Sequence, residues 1–146
     1  MLTDFDFLVQ ALFAEQSNRS LVTHRERRAG GLAEAISTKL ERLAEIWQRL
    51  LPHRELQVTG DNIEVSILGD DAKYPASQMS DGERSIFYMI GQALVAAEDS
   101  VLIIDEPELH VHRPIMSKLW DQLEAARSDI VVLRPRPAAT LGTAGT

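Results

Sequence analysis

Residues 79–112 read MSDGERSIFYMIGQALVAAEDSVLIIDEPELHVH, and this stretch decides the fold of the 146-residue chain. Ser80 and Glu83 have the spacing of a capping box, which predicts that a helix begins here. The uninterrupted apolar run Val101–Ile104 follows that helix. Such a run is typical of a strand buried on both faces, as in a parallel sheet.

The segments on either side of this run alternate between helix and strand. The helix that begins at Ser80 is predicted to reach about Glu98. A second helix starts near Pro114, because proline is well tolerated in a first helical turn, and it reaches about Arg127. Residues 130–133 are apolar again and predict a second strand. The order helix, strand, helix, strand is that of an open α/β sheet.

The first third of the chain predicts a helical arm, residues 1–53. Apolar residues at helical spacing indicate helices over 4–16 and roughly 32–51. The second helix ends at Pro52, and its Trp47 is expected in the core, as is Trp120 of the helix that starts near Pro114. The basic stretch 17–28 between the helices is interpreted as a solvated helix face or loop rather than as a patch that binds phosphate or an acidic partner.

Between the arm and the α/β part, residues 54–72 predict a β-hairpin. Apolar and polar residues alternate on both sides of Gly60-Asp61-Asn62, which supplies the turn. Residues 72–79 are expected to form a loop that leads into the half-domain 73–133. The tail 134–146 has no acidic, aromatic or amphipathic pattern, and we expect it to be disordered.

Composition excludes several classes of protein. Lys and Arg number 15 against 22 Asp and Glu, so the formal net charge is −7. An acidic chain matches a nucleic-acid backbone poorly, although a longer protein containing this chain could still bind one. The chain has no cysteine, which rules out disulfides and thiolate metal sites. No apolar run approaches the roughly 18 residues of a membrane span. The acidic N-terminus does not resemble a signal peptide, and we expect a cytoplasmic protein without membrane contact.

The chemistry-bearing residues lie where the first predicted strand ends. Asp105 and Glu106 follow four apolar residues, and ligands of open α/β sheets bind at the carboxyl ends of strands. Adjacent side chains of a strand point in different directions, so one carboxylate can hold a metal ion while the other faces an attacking water. Magnesium prefers hard oxygen ligands and keeps several waters, which suits such a site.

The start of the preceding helix carries a second signal, which is Gly82. A capping box accounts for Ser80 and Glu83 without any further function. Glycine in a helix costs about 1 kcal/mol relative to alanine. At this position it would leave backbone N–H groups bare at the positive end of a helix, where an anion such as phosphate binds.

Three segments together resemble a known family. Residues 79–84, MSDGER, resemble the signature motif of ABC-type ATPases, L-S-G-G-Q/E. Residues 101–107, VLIIDEP, resemble their Walker B strand, and residues 108–114, ELHVHRP, resemble the E-L-H-L-H-P continuation of AAA-family proteins with an ABC-like, AAA_21-type head. These proteins include the overcoming-lysogeny-defect nucleases and other DNA-repair and phage-defence ATPases. The resemblance spans about Ser77 to Val132, and it implies part of a P-loop NTPase sheet with flanking helices.

The resemblance also implies roles for individual residues, with ATP and Mg²⁺ as cofactors. Asp105 would hold the Mg²⁺–water shell and Glu106 would polarise the attacking water. Ser80 and Gly82 would contact the γ-phosphate of a nucleotide bound to a second subunit. Asp81 departs from the motif, which has glycine there. The full set of residues expected at the nucleotide, including the D-loop region of the dimer interface, is Ser80, Asp81, Gly82, Glu83, His110 and His112.

A P-loop, G-x-x-x-x-G-K-[S/T], does not occur in the 146 residues, because none of the three lysines follows a glycine. The chain is therefore expected to be the C-terminal portion of such an ATPase and to be inactive alone. Its partners would be a second ATPase head or a P-loop-bearing N-terminal half. A Walker B strand without its P-loop neighbour also predicts self-association.

Two alternatives remain open from the sequence. The chain could be a non-catalytic interaction or structural fragment whose helical arm and sheet edge bind a partner. Less favoured is a metal-binding module built on the alternate histidines of His110-x-His112, since no third ligand is evident.

Overall fold

The computed structural model describes residues 3–28, 38–59, 62–105 and 111–133. Two sheets, a short 3₁₀ turn at Ala76–Gln78 and four helices lie within these ranges. The elements in chain order are α1 (Asp4–Arg28), α2 (Lys39–Leu50), β1 (Arg54–Thr59), β2 (Asn62–Ile67), β3 (Lys73–Pro75), α3 (Asp81–Val95), β4 (Val101–Ile103), α4 (Arg113–Ala126) and β5 (Val131–Leu133). The C-terminal tail, residues 134–146, lies outside the described residues.

The two helices of the arm have different boundaries from those predicted. Helix α1 continues to Arg28 instead of ending near residue 16, because no glycine or proline interrupts the chain before Gly30. Helix α2 begins at Lys39, and the predicted start at residue 32 is wrong. Thr38 is its N-cap, with an extended backbone (φ −71°, ψ 162°), and it shares a capping box with Glu41. Residues 32–37 lie outside the described part.

The core forms where α2 and α3 pack together and α1 covers them. Trp47 is fully buried, and its indole N–H donates to the Arg54 carbonyl oxygen at 2.8 Å. Its ring meets Phe87 of α3 edge-on, with the ring centroids 6.4 Å apart. Trp120 of α4 is also buried, so the expectation of two core tryptophans is confirmed. The largest fully buried side chains are Trp47, Phe87, Leu12, Leu40, Leu43, Ile90, Leu94, Leu119, Leu123 and Val65.

The predicted hairpin is confirmed and gains a third strand. Strands β1 and β2 pair antiparallel, with Val58 opposite Ile63. Residues 60–61 of the turn lie outside the described part. Strand β3 pairs antiparallel with β2 and places Tyr74 opposite Val65, so the loop predicted for 72–79 is wrong over residues 73–75. Three residues are too short to show a two-residue period, and the pairing with β2 decides their conformation.

The α/β part has the predicted order of helix and strand, and β4 and β5 pair in parallel. The expectation that the first strand is buried on both faces is wrong in the described structure. Leu102 and Val132 pack on the core, but four alternate side chains face outward. Their exposed fractions are 57% for Val101, 72% for Ile103, 54% for Val131 and 50% for Leu133. Within the described residues this sheet has two strands, and one of its faces is an uncovered apolar surface.

Candidate functional site

The N-terminus of α3 is built around Ser80, which is the N-cap of the helix. Its hydroxyl oxygen accepts a hydrogen bond from the backbone N–H of Glu83 at 3.2 Å, and the Glu83 carboxylate accepts from the backbone N–H of Ser80 at 3.2 Å. The predicted capping box is therefore confirmed. Ser80 and Asp81 are exposed, and Gly82 is half-buried. The first turn of α3 therefore follows an exposed N-cap residue, and the leading backbone N–H groups of a helix have no partner within the helix.

Tyr74 of β3 is a member of this site that sequence reasoning missed. Its hydroxyl donates to the second carboxylate oxygen of Glu83 at 2.5 Å. Burial, followed by the hydrogen bond and the negative charge of Glu83, raises the pKa of Tyr74 to about 12. No sequence signal could have found this contact, because it depends on the unpredicted pairing of β3 with β2.

Arg84 fastens the same turn to the rest of the protein. Its guanidinium donates to the Ser77 carbonyl oxygen at 3.0 Å and lies 5.5 Å from the centre of the Phe5 ring of α1. Phe5 in turn contacts Phe87, with 5.3 Å between the ring centroids. The start of α3 is therefore held by β3 on one side and by α1 on the other.

Asp105 lies just beyond the carboxyl end of β4 and is exposed. The backbone N–H of Ile104 donates to the Leu133 carbonyl oxygen at 3.0 Å, which continues the parallel ladder up to the residue before Asp105. Glu106 and His110 lie outside the described residues. His112 is exposed and is the N-cap of α4, without a side-chain hydrogen bond to the helix.

The structure thus brings Ser80, Gly82 and Glu83 together in one helical turn and places Asp105 on a separate element. Within the ranges that the structure describes, no group of three His, Asp or Glu side chains could hold a metal ion. Asp105 is the one described carboxylate directly after this strand, since residues 106–110 lie outside the described part.

The opposite end of α3 is fixed by Arg127, which sequence reasoning also missed. Its guanidinium donates to the carbonyl oxygens of Ala93 at 3.1 Å and of Ala96 at 2.8 Å, and it pairs with Asp129 at 2.6 Å. The hydrogen bond from Arg127 lowers the pKa of Asp129 to about 2. The sequence places Arg127 at the end of a predicted helix but does not indicate its contact with the end of α3.

A cleft of about 620 Å³ lies beside this pair, and three cations are among its lining residues. Lys39 pairs with Glu15 at 3.1 Å, and Arg42 donates to the Ala126 carbonyl oxygen at 2.9 Å. Arg127 also forms hydrogen bonds and an ion pair within the protein. All three cations therefore stabilise the fold through contacts with other residues of the chain.

Comparison with protein families decides the broad class. The family described as "AAA domain, putative AbiEii toxin, Type IV TA system" matches residues 9–135. The chain belongs to this AAA_21 family. The resemblance to AAA-type ATPases is therefore confirmed at the level of the family, with the α/β part and most of the helical arm inside the matched span.

Among solved structures, this AAA_21 chain is similar to one described under "Structural biochemistry of ATP-driven dimerization and DNA stimulated activation of SMC ATPases". The identity is 18%, the TM-score is 0.47, and 66% of each chain is covered, so the chain spans about two thirds of that protein's length. No curated protein matches the chain. Within the described residues, no helix is long and apolar enough to cross a membrane.

Proposed function

We propose that this AAA_21 chain supplies the signature and Walker B half of an ATPase site, while a P-loop on another polypeptide or segment holds the nucleotide. The observation that carries the proposal is the capped, solvent-facing start of α3 within the signature-like sequence. The parallel strand β4, which Asp105 and Glu106 follow in the sequence, supports it. Both features lie inside the segment that matches the AAA_21 family.

The start of α3 suits a terminal phosphate for electrostatic and geometric reasons. Backbone N–H groups and the helix dipole favour an anion at this end. The Ser80 oxygen accepts one hydrogen bond from the Glu83 N–H, and a hydroxyl retains a proton to donate. We infer that Ser80 donates this proton to a γ-phosphate oxygen and that Gly82 lets the phosphate approach.

Asp81 opposes this role, because an exposed carboxylate at the first helical position repels phosphate. Its solvation and ordinary salt, which screens charges over about 8 Å, reduce the repulsion. We propose that Asp81 weakens phosphate contact without abolishing it.

The described residues fit Mg²⁺ in donor chemistry. Asp105 provides an exposed carboxylate oxygen at a strand end, and magnesium commonly takes one or two carboxylates together with substrate phosphates and water. When bound, Mg²⁺ neutralises charge that develops on the transferred phosphoryl group. In the proposed site Asp105 would hold the metal's water shell and Glu106 would accept a proton from the attacking water. His110 and His112 would belong to the interface with the second head.

Phosphoryl transfer depends mainly on positioning and charge stabilisation. Without a P-loop, Asp105 and Glu106 bring negative charge towards a polyanion, so we expect the isolated chain neither to bind ATP tightly nor to hydrolyse it. Calorimetry with Mg²⁺ present checks this expectation. A dissociation constant of about 10 μM, which corresponds to a binding free energy of about −7 kcal/mol, would contradict this expectation.

The direct test of the proposed function is phosphate release after the chain is mixed with a P-loop-bearing AAA_21 polypeptide. We expect ATP hydrolysis that Glu106→Gln abolishes. The matched control is Glu124→Gln, which makes the same change at an exposed position of α4 and should leave the rate unchanged. Equal rates for the two variants would refute the role of Glu106.

A second candidate function is a non-catalytic interaction fragment, and the exposed apolar side chains of β4 and β5, which no described residue covers, favour it. Parallel sheets are normally covered on both faces. We propose that this face associates with another copy of the chain or with the P-loop-bearing partner. Both candidate functions allow association of this kind, so association alone does not distinguish them. Phosphate release does, because only the ATPase role predicts it.

A further inference from the structure

A continuous series of hydrogen bonds joins strand β3 to the first turn of α3. The hydroxyl of Tyr74 donates to one carboxylate oxygen of Glu83, and the other oxygen accepts from the backbone N–H of Ser80. The backbone N–H of Glu83 then donates to the Ser80 hydroxyl oxygen. One carboxylate therefore connects a tyrosine on the antiparallel sheet to the residue that begins α3.

The shorter contact is the stronger of the two on Glu83. A hydroxyl–carboxylate distance of 2.5 Å is that of a charge-assisted hydrogen bond, whereas the capping contacts are 3.2 Å long. Glu83 is also half-buried, so the bond is less weakened by solvent than at an open surface. Tyr74 accordingly does more than the capping box itself to fix the rotamer of Glu83.

The same bond redistributes charge at the helix start. Asp81 and Glu83 both lie in the first turn of α3, where their charges compete with any anionic ligand. The Tyr74 hydroxyl of β3 holds the Glu83 carboxylate on the side of the sheet and offsets part of its negative charge. The positive end of α3 is left more available to an anion on its exposed side.

We propose that Tyr74 is a positioning residue for Ser80: its hydroxyl holds Glu83, and Glu83 holds the Ser80 backbone and hydroxyl in the geometry that faces solvent. The consequence for phosphate binding rests on the proposed function, but the positioning itself does not. The raised pKa of Tyr74, to about 12, agrees with a hydroxyl that is half-buried and donates to a carboxylate. The negative charge of Glu83 raises this pKa, and the positive charge of Arg54 on β1 lowers it.

The test uses Tyr74→Phe, with Tyr88→Phe as the matched control. Both substitutions remove one phenolic hydroxyl, and Tyr88 is a half-buried residue of α3. Site-resolved amide hydrogen exchange follows the Ser80 and Glu83 N–H groups, which are the donors of the capping box. We expect exchange at these two amides to rise by about three- to tenfold in Tyr74→Phe, with no rise in Tyr88→Phe. Unchanged exchange in Tyr74→Phe would overturn the proposal.

A spectroscopic titration of Tyr74 tests its contact with Glu83 directly, because it measures the pKa of the Tyr74 hydroxyl. In Tyr88→Phe the tyrosinate absorbance comes from Tyr74 alone, because the chain has two tyrosines. We expect its midpoint near pH 12 and a lower midpoint when Glu83→Gln is added, since the neighbouring charge is then gone. An identical midpoint in both variants would show that Glu83 does not hold Tyr74.

Phosphate release with the P-loop-bearing polypeptide then separates the two proposals. Faster exchange and a lower rate in Tyr74→Phe support both of them. If exchange is faster in Tyr74→Phe but Glu106→Gln is as active as the unsubstituted chain, the ATPase role is refuted and the positioning of Ser80 is still supported.

Discussion

Gly91 of α3 provides the most quantitative prediction, because it lies against α1. A Cβ atom added at Gly91 would be 2.5 Å from one Leu8 methyl carbon and 3.1 Å from two further Leu8 carbons. Unstrained carbon–carbon contacts are about 3.5–4.0 Å. Leu8 is only 4% exposed, so its side chain has little room to withdraw.

Two opposing effects decide the stability of Gly91→Ala. Overpacking a closed core costs about 1–3 kcal/mol, and replacing glycine by alanine within a helix stabilises by about 1 kcal/mol. We expect a net loss of about 1 kcal/mol in the free energy of unfolding. In a Leu8→Ala background the clashing atoms are absent, so the same Gly91→Ala change should stabilise by about 1 kcal/mol.

The assay is urea unfolding of the unsubstituted chain, both single variants and the double variant. The cycle should give a coupling energy of about 2 kcal/mol between positions 8 and 91. The Leu8→Ala variant alone is expected to lose about 2–5 kcal/mol, as large-to-small core changes do. Additive effects, with Gly91→Ala equally costly in both backgrounds, would refute the packing of α1 on α3 at this point.

Two other predictions concern the exposed sheet face and the Arg127–Asp129 pair. Ile103→Glu should reduce the self-association that light scattering measures. Because Ile103 is 72% exposed, the midpoint of urea unfolding should remain nearly unchanged. A stable monomer of the unsubstituted chain would contradict the self-association. Because Arg127 holds the folded-state pKa of Asp129 near 2, below its ordinary 3.8, the pair's contribution to stability is present above pH 4 and lost as pH falls towards 2. Unfolding measured across this range should show a smaller pH dependence in Asp129→Asn, and an unaltered profile would rule out the pair as its source.

Several features of the fold could be predicted because their causes are local. Ser80 and Glu83 specify a capping box by spacing alone, and alternation around residues 60–61 specifies the hairpin. The apolar run at 101–104 indicated a parallel strand correctly. Its burial could not be predicted, because burial depends on which elements cover the sheet and the run itself is the same with or without them.

The site was predictable only in part for a similar reason. Ser80, Gly82 and Asp105 stay predictions from a sequence pattern, and each lies at or near the end of its own element. Tyr74 and Arg127 act across the fold: one depends on the register of β3, and the other on where α4 ends relative to α3. Contacts of this kind are set by tertiary packing and leave no periodic signal in the chain.

ATP-dependent association with a P-loop-bearing AAA_21 polypeptide is the measurement that tests the central claim most directly. Light scattering would compare Mg²⁺–ATP with Mg²⁺–ADP, using Glu106→Gln so that the nucleotide persists. A Ser80→Asp change in that background should keep α3 capped, because aspartate is a good N-cap, yet place negative charge against the γ-phosphate. We predict a complex with ATP, none with ADP, and none with ATP after Ser80→Asp. Equal association with ADP, or association unaffected by Ser80→Asp, would contradict a γ-phosphate contact at the start of α3.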